Sequence, residues 1–228
     1  MKFEVPPEFR QFVAHVKRRC KANRIELVMS PSRTVVVTDS FSTDCSGYFD
    51  DVNRTLVVAC GKPFRDWIEI LVHEYSHMQQ WLGDERWSHW TDCCLDLWSW
   101  LDGEKVMNTQ QLTNVIDGMI ELERDCEVRA LENISHWKLP INKSRYGRKA
   151  NLYLYSYRAM PIMKKFPTGL YDNKELIKMC PTRIKKNLSI LDAFILPIAF
   201  KQNLNLPYSL TSSIFTTIPF SFNLLTQE

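Results

Sequence analysis

Residues 64–82 read FRDWIEILVHEYSHMQQWL, and the organisation of the chain follows from how this stretch folds. Phe64, Trp67, Ile68, Ile70, Leu71, Val72, Met78 and Trp81 put apolar groups on nearly every side of a helix, which predicts a helix buried all round. Set into it are His73, Glu74 and His77, in the pattern His-Glu-x-x-His. Histidines four residues apart lie on one helical face, so both imidazoles reach one Zn²⁺ at the usual bond length of about 2.0–2.1 Å. Glu74 is turned by about 100° around the axis and addresses a water held by the metal instead of the metal itself. Polar groups on a buried helix need partners, because leaving one unsatisfied is costly. Zinc is therefore the expected cofactor, with His73 and His77 as ligands and Glu74 as the catalytic base.

A catalytic zinc keeps three protein ligands and one open position. The sequence after His77, MQQWLGDERW, lacks the HExxHxxGxxH extension. His89, in RWSHW, is one candidate third ligand. The other candidates lie in the stretch 109–137, where a helical wheel separates two kinds of acid. Ile116, Met119, Ile120, Leu122, Cys126, Ala130 and Ile134 cluster on one side. Asp117, Glu121, Asp125 and Glu132 fall on the opposite, wet side, whereas Glu123 and Glu127 fall inside the apolar stripe. Lone buried carboxylates are rare unless paired or metal-bound. Two of them four residues apart match a ligand, Glu123, followed by an acceptor, Glu127, that orients a histidine through its other ring nitrogen. His89, or Glu127 itself, is the rival third ligand.

Around this pair, residues 7–22 carry Phe9, Phe12, Val13 and Val16 at helical spacing, with His15 on the surface. β-rich runs follow at 25–29, 34–38 and 55–59, with a short stretch at 47–49 and a turn at 30–33. Gly61 and Pro63 end the sheet. Further helices are expected at 86–101, where Trp87, Trp90, Trp98 and Trp100 read as packing, and at 109–137 with Thr109 as N-cap. This order predicts an α+β domain with a small, mostly antiparallel sheet packed on the active-site helix.

The chain has 228 residues, 45% of them hydrophobic and 24% charged, which argues against disorder. Its seven cysteines form no CxxC pair, pointing to reduced thiols in a cytoplasmic protein and away from a disulfide framework or zinc ribbon. No apolar run reaches the roughly 18 residues of a membrane span, and the N-terminus has no apolar core of a signal peptide. The net charge of +3 is unevenly spread. Residues 1–137, the expected core, sum to −7; residues 138–186, a basic extension rich in tyrosine, to +11; and the apolar tail 187–228 to −1. The basic extension is expected to pack on the core. Its charge suits either a solvated face or a nucleic-acid partner.

HEYSH on one helix with ERDCEVRA on the next resembles the gluzincin group of zincin metallopeptidases. Within it, the small IrrE/ImmA-like enzymes come nearest, their second helix reading E-x-x-A-[ND]-x-x-A. Glu123, Cys126, Glu127 and Ala130 occupy those positions, with Cys126 for alanine and Glu127 for asparagine as departures. The pattern is also similar to that of HExxH proteins from bacteriophage genomes, which would put the chain in a host cytoplasm. The resemblance covers roughly residues 47–135. It implies hydrolysis of a peptide or protein substrate, with glutamate as third ligand. It also implies an edge strand, around Gly47–Phe49 or at 55–59, that pairs with an extended substrate. His136, Arg145, Tyr146 and Tyr153 are the candidate oxyanion donors. Two other classes stay open on the residues: a DNA-associated, SprT-like protease or DNA-binding regulator, and an assembly protein with a purely structural zinc.

Overall fold

The computed structural model describes residues 4–37, 43–165, 173–186 and 188. By internal contacts the chain falls into two units, 1–186 and 187–228. The apolar tail, apart from Leu188, lies outside the described residues, as do Phe166 and Tyr171 of the basic extension. The first unit is a helix-rich α+β fold with a small mixed sheet.

A 3-10 turn at Pro7–Phe9 leads into α1 (Arg10–Ala22). Its apolar residues Phe12, Val13, Val16 and Cys20 are buried, as their helical spacing requires. Strands β1 (Glu26–Ser30), β2 (Val35–Val37), β3 (Thr43–Cys45), β4 (Gly47–Asp50) and β5 (Thr55–Ala59) come next. The largest sheet has the order β1-β5-β4, with β1 parallel to β5 and β4 antiparallel to it. The expected mostly antiparallel sheet is thus corrected to a mixed one. Strands β1 and β2 do not form a hairpin. Instead β2 pairs with β3 in a separate antiparallel ribbon, which leaves β1 open to a parallel neighbour. Strand β5 is central, and its last four residues, Leu56 to Ala59, are buried. This is why it reads as a continuous apolar run without alternation.

Helix α2 (Phe64–Gly83) packs on β5 and β4, and is succeeded by α3 (Trp87–Leu101), α4 (Thr109–His136), α5 (Lys143–Met163) and α6 (Lys174–Met179). The N-cap of α4 is Asn108 in place of Thr109. Its side chain accepts from Gln111 N while the Gln111 side chain accepts from Asn108 N, a reciprocal capping box. Helix α4 packs against α2, α3 and α5, so it forms the spine of the helical layer. The core joins Phe12 and Val16, Leu56 and Val58, Ile68, Leu71, Val72, Tyr75 and Met78, and Ala130 and Ile134. Each fully buried Leu, Ile or Phe there contributes about 1.5–3 kcal/mol. His15 belongs to this assembly and is half-buried, correcting its expected surface place. Its Nε2 lies 2.8 Å from Tyr75 Oη and its ring 4.7 Å from that of Trp137. Among the tryptophans of α3, Trp90 is fully buried, and Trp87, Trp98 and Trp100 are half-buried.

The basic extension folds as α5, packed on α4, and α6, packed on α5. Several of its cations are satisfied within the chain. Arg145 and Lys149 both bind the buried Glu69 of α2, Arg158 binds Asp117, and Lys178 binds Glu175. No described helix is long and apolar enough to cross a membrane.

Candidate metal centre

His73 and His77 project from the middle of α2 toward the face of α4 that carries Glu123, Cys126 and Glu127. The two imidazoles stand edge to face, with Nε2 atoms 3.2 Å apart. Glu123 Oε2 lies 3.6 Å from His73 Nε2 and 3.4 Å from His77 Nε2. That oxygen is buried and accepts no hydrogen bond. Donors arranged tetrahedrally around zinc at its usual bond lengths are separated by about 3.3 Å. Three donors at that mutual spacing, one of them an orphaned buried carboxylate oxygen, fit a divalent cation. The donor types, two imidazole nitrogens and one carboxylate, are those zinc accepts.

The other ring nitrogens fix the tautomers. His73 Nδ1 faces Glu127 Oε1 at 3.3 Å, as the spacing on α4 predicts. His77 Nδ1 faces Gln80 Oε1 at 2.8 Å, and the Gln80 amide is itself oriented by donating to Leu122 O and Asp125 Oδ2, both at 2.9 Å. Each Nδ1 is thus held by an acceptor and each Nε2 is turned inward, so that loss of the Nε2 protons frees two lone pairs for a cation. Asp125 belongs to this outer layer. It also accepts from Arg129, so its expected place on the wet side is corrected.

Cys126 is fully buried, with Sγ 3.3 Å from His73 O and 3.6 Å from His73 Nδ1. The thiol thus lies beside the His73 ring, with Sγ within 4.8 Å of a ligand atom of each of His73, His77 and Glu123. His73, His77, Glu123 and Cys126 form a compact donor group among the described residues. His89 is outside that group: it is exposed, and its Nε2 is 3.8 Å from Cys93 Sγ.

The charges support one another. Burial disfavours an imidazolium, but Cys126 together with Glu127 raises the pKa of His73, and Cys126 together with Glu123 raises that of His77, well above the ordinary value. Burial pushes the Glu123 carboxyl up, and the neighbouring His77 and His73 overcome this, holding it at about 2. For Glu74 burial dominates: its pKa is raised, with His73 and His77 pulling the other way. The Glu74 side chain sits under β4, where a Cβ on Gly47 would come within 3.2 Å of Glu74 Cγ. Only a glycine lets the strand lie this close to the helix.

Helix α5 supplies the least expected part of the site. Tyr157 Oη donates to Glu123 Oε1 at 2.9 Å, Tyr153 Oη lies 3.2 Å from the same oxygen, and the two phenols are 3.0 Å apart. Burial pushes both phenols well above their ordinary pKa, so they stay protonated. Of the other candidate oxyanion donors, Arg145 is bound to Glu69, Tyr146 is buried beside Glu127, and His136 is exposed against Trp137. Gln80 and Tyr157 escape the sequence reading. The first is signalled by a polar residue three positions after His77 on an apolar helix. The second is signalled by its spacing of four from Tyr153. No protein-family model, curated protein or solved structure matches the chain.

Proposed function

We propose that the protein is a zinc-dependent metallopeptidase of the gluzincin kind, with His73, His77 and Glu123 as ligands and Glu74 as general base. The observation that carries this reading is the meeting of two inward-facing Nε2 atoms with an orphaned carboxylate oxygen at the spacing of donors around one cation. When bound, zinc supplies Lewis acidity that lets a water lose its proton near neutral pH.

The chain's own residues do the rest. Glu74, its pKa raised by burial, accepts the proton of the attacking water and passes it to the amine that leaves. Glu127 and Gln80 keep both Nε2 lone pairs directed inward. Tyr153, whose ring lies 5.9 Å from that of His73, gives its hydroxyl to Glu123 and supports that ligand instead of serving as the oxyanion donor. An extended peptide adds to β4, the edge strand resting on Glu74. Strand β5, paired on both sides, has no free edge and drops out as the alternative.

The deciding experiment compares wild type with Glu74→Gln. Wild type is expected to hold one zinc per chain and cleave a peptide library, and the variant to retain zinc without cleavage. Zinc bound by both with no turnover in either would make the centre structural. Zinc retained after Glu123→Ala would place the third ligand elsewhere.

A further inference from the structure

We propose that Tyr153 and Tyr157 are positioning residues that restrict Glu123 to a single ligating oxygen, Oε2, and thereby set the affinity and openness of the cation site. The inference rests on His73, His77 and Glu123 holding a cation.

Glu123 has two oxygens in different surroundings. Oε2 faces the two imidazoles and accepts no hydrogen bond. Oε1 points toward α5, within 2.9 Å of the Tyr157 hydroxyl and 3.2 Å of the Tyr153 hydroxyl. A carboxylate oxygen offers about two acceptor positions, so two phenols engage Oε1 fully. Turning the group to present both oxygens to a cation would break two charge-assisted hydrogen bonds to Oε1, which are stronger than those between neutral groups. The hydrogen bonds thus select one mode of ligation and leave room for water and substrate, as an open catalytic site requires.

The clamp is mounted on a fixed support. Arg145 and Lys149, on the same helix as the tyrosines, bind Glu69, one turn before His73 on α2. Helix α5 is therefore tied to the histidine helix by ions and to the glutamate helix by phenols. The basic segment, set apart from the core by its charge, contributes side chains to the metal centre.

The test uses full-length protein stripped of metal. Zn²⁺ affinity is measured by competition with a chromophoric chelator, and Co²⁺ is added separately to report coordination through its visible spectrum. In Tyr157→Phe the ring remains and only the hydroxyl goes. Metal-free melting is expected to be nearly unchanged while zinc affinity falls about 10–100-fold. The double variant Tyr153→Phe/Tyr157→Phe is expected to show weaker cobalt bands as Glu123 turns to offer both oxygens and the coordination number rises. Should Tyr157→Phe melt early without metal, Tyr153→Phe is judged by the same readouts. Zinc affinities within twofold of wild type, together with an unaltered cobalt spectrum, would overturn the clamp while leaving the metal site intact. Wild type that binds no zinc would overturn the parent reading and the clamp with it.

Discussion

Asp84, at the end of α2, shows how one carboxylate ties three helices together. Arg86 forks onto it, with Nε 2.9 Å from Oδ1 and Nη2 2.7 Å from Oδ2, and Arg129 of α4 adds a bond of 3.0 Å. Arg86 also reaches Glu121. The Arg86 hydrogen bonds outweigh burial and hold the Asp84 carboxyl at about 2, below its ordinary 3.8. A folded-state pKa below the unfolded one stabilises the fold above the unfolded value and is lost as pH falls through the folded value. Asp84→Asn is therefore expected to cost about 1–2 kcal/mol at pH 7, with the gap to wild type closing between about pH 4 and pH 2. Urea unfolding across that range measures it, and a gap indifferent to pH would refute the assignment. At this scale much of the centre is legible in the sequence. An HExxH on an apolar helix and two acids inside an apolar stripe are conflicts between residue type and burial, which single out His73, His77, Glu123 and Glu127. Asp125 misleads because a wheel treats a helix as isolated. The position turned away from the stripe on α4 meets Gln80 and Arg129, and only their packing reveals that it is shielded.

At the scale of elements, the contact between β4 and α2 decides whether Glu74 stands beneath an edge strand. Gly47 permits it. A Cβ there would lie 2.7 Å from Ile70 Cγ2 and 2.8 Å from Val57 O, and the second contact is backbone that cannot swing aside. Gly47→Ala is expected to destabilise the fold by about 1–3 kcal/mol and to lower peptide cleavage by lifting β4 from Glu74. Gly83→Ala, at a position with open space around it, serves as control and should be neutral or mildly stabilising. Equal effects of the two substitutions would mean that the β4–α2 contact is unimportant. The helices α1 to α4 and strand β5 are legible because their apolar periodicities are long or unbroken. The parallel pairing of β1 with β5 is not, since pairing partners depend on long-range closure that local patterns do not encode. Strand β3 is hidden because Thr43-Asp44-Cys45 lacks an apolar alternation and is held by pairing with β2. Helix α5 is ambiguous in sequence because Tyr153, Tyr155 and Tyr157 alternate like a strand. All three are nevertheless accommodated on a helix closely surrounded by α4 and the segment after α6.

Across the whole unit, the proposed metal centre joins parts that are far apart in the chain. Its candidate ligands come from α2 and α4, the tyrosines from α5, and the Glu69 ion cluster ties α5 back to α2. A cation held at such a junction binds only the assembled fold, so zinc should stabilise the unit as a whole and not one helix. With free zinc at about one hundred times its dissociation constant, linkage contributes about 2.7 kcal/mol. For a chain of this size that is a rise of about 5–11 °C in melting temperature. Thermal unfolding of chelator-treated protein, before and after adding zinc, is expected to show this rise with a single transition. Glu123→Ala should abolish it. Glu69→Gln, which loosens the support of the clamp without touching a ligand, should reduce it. The comparison separates two pictures of the basic segment. If α5 were an appendage carrying charge for an external partner, Glu69→Gln would leave the zinc-dependent rise intact. If α5 is part of the centre, the substitution weakens zinc binding from a distance and the rise shrinks.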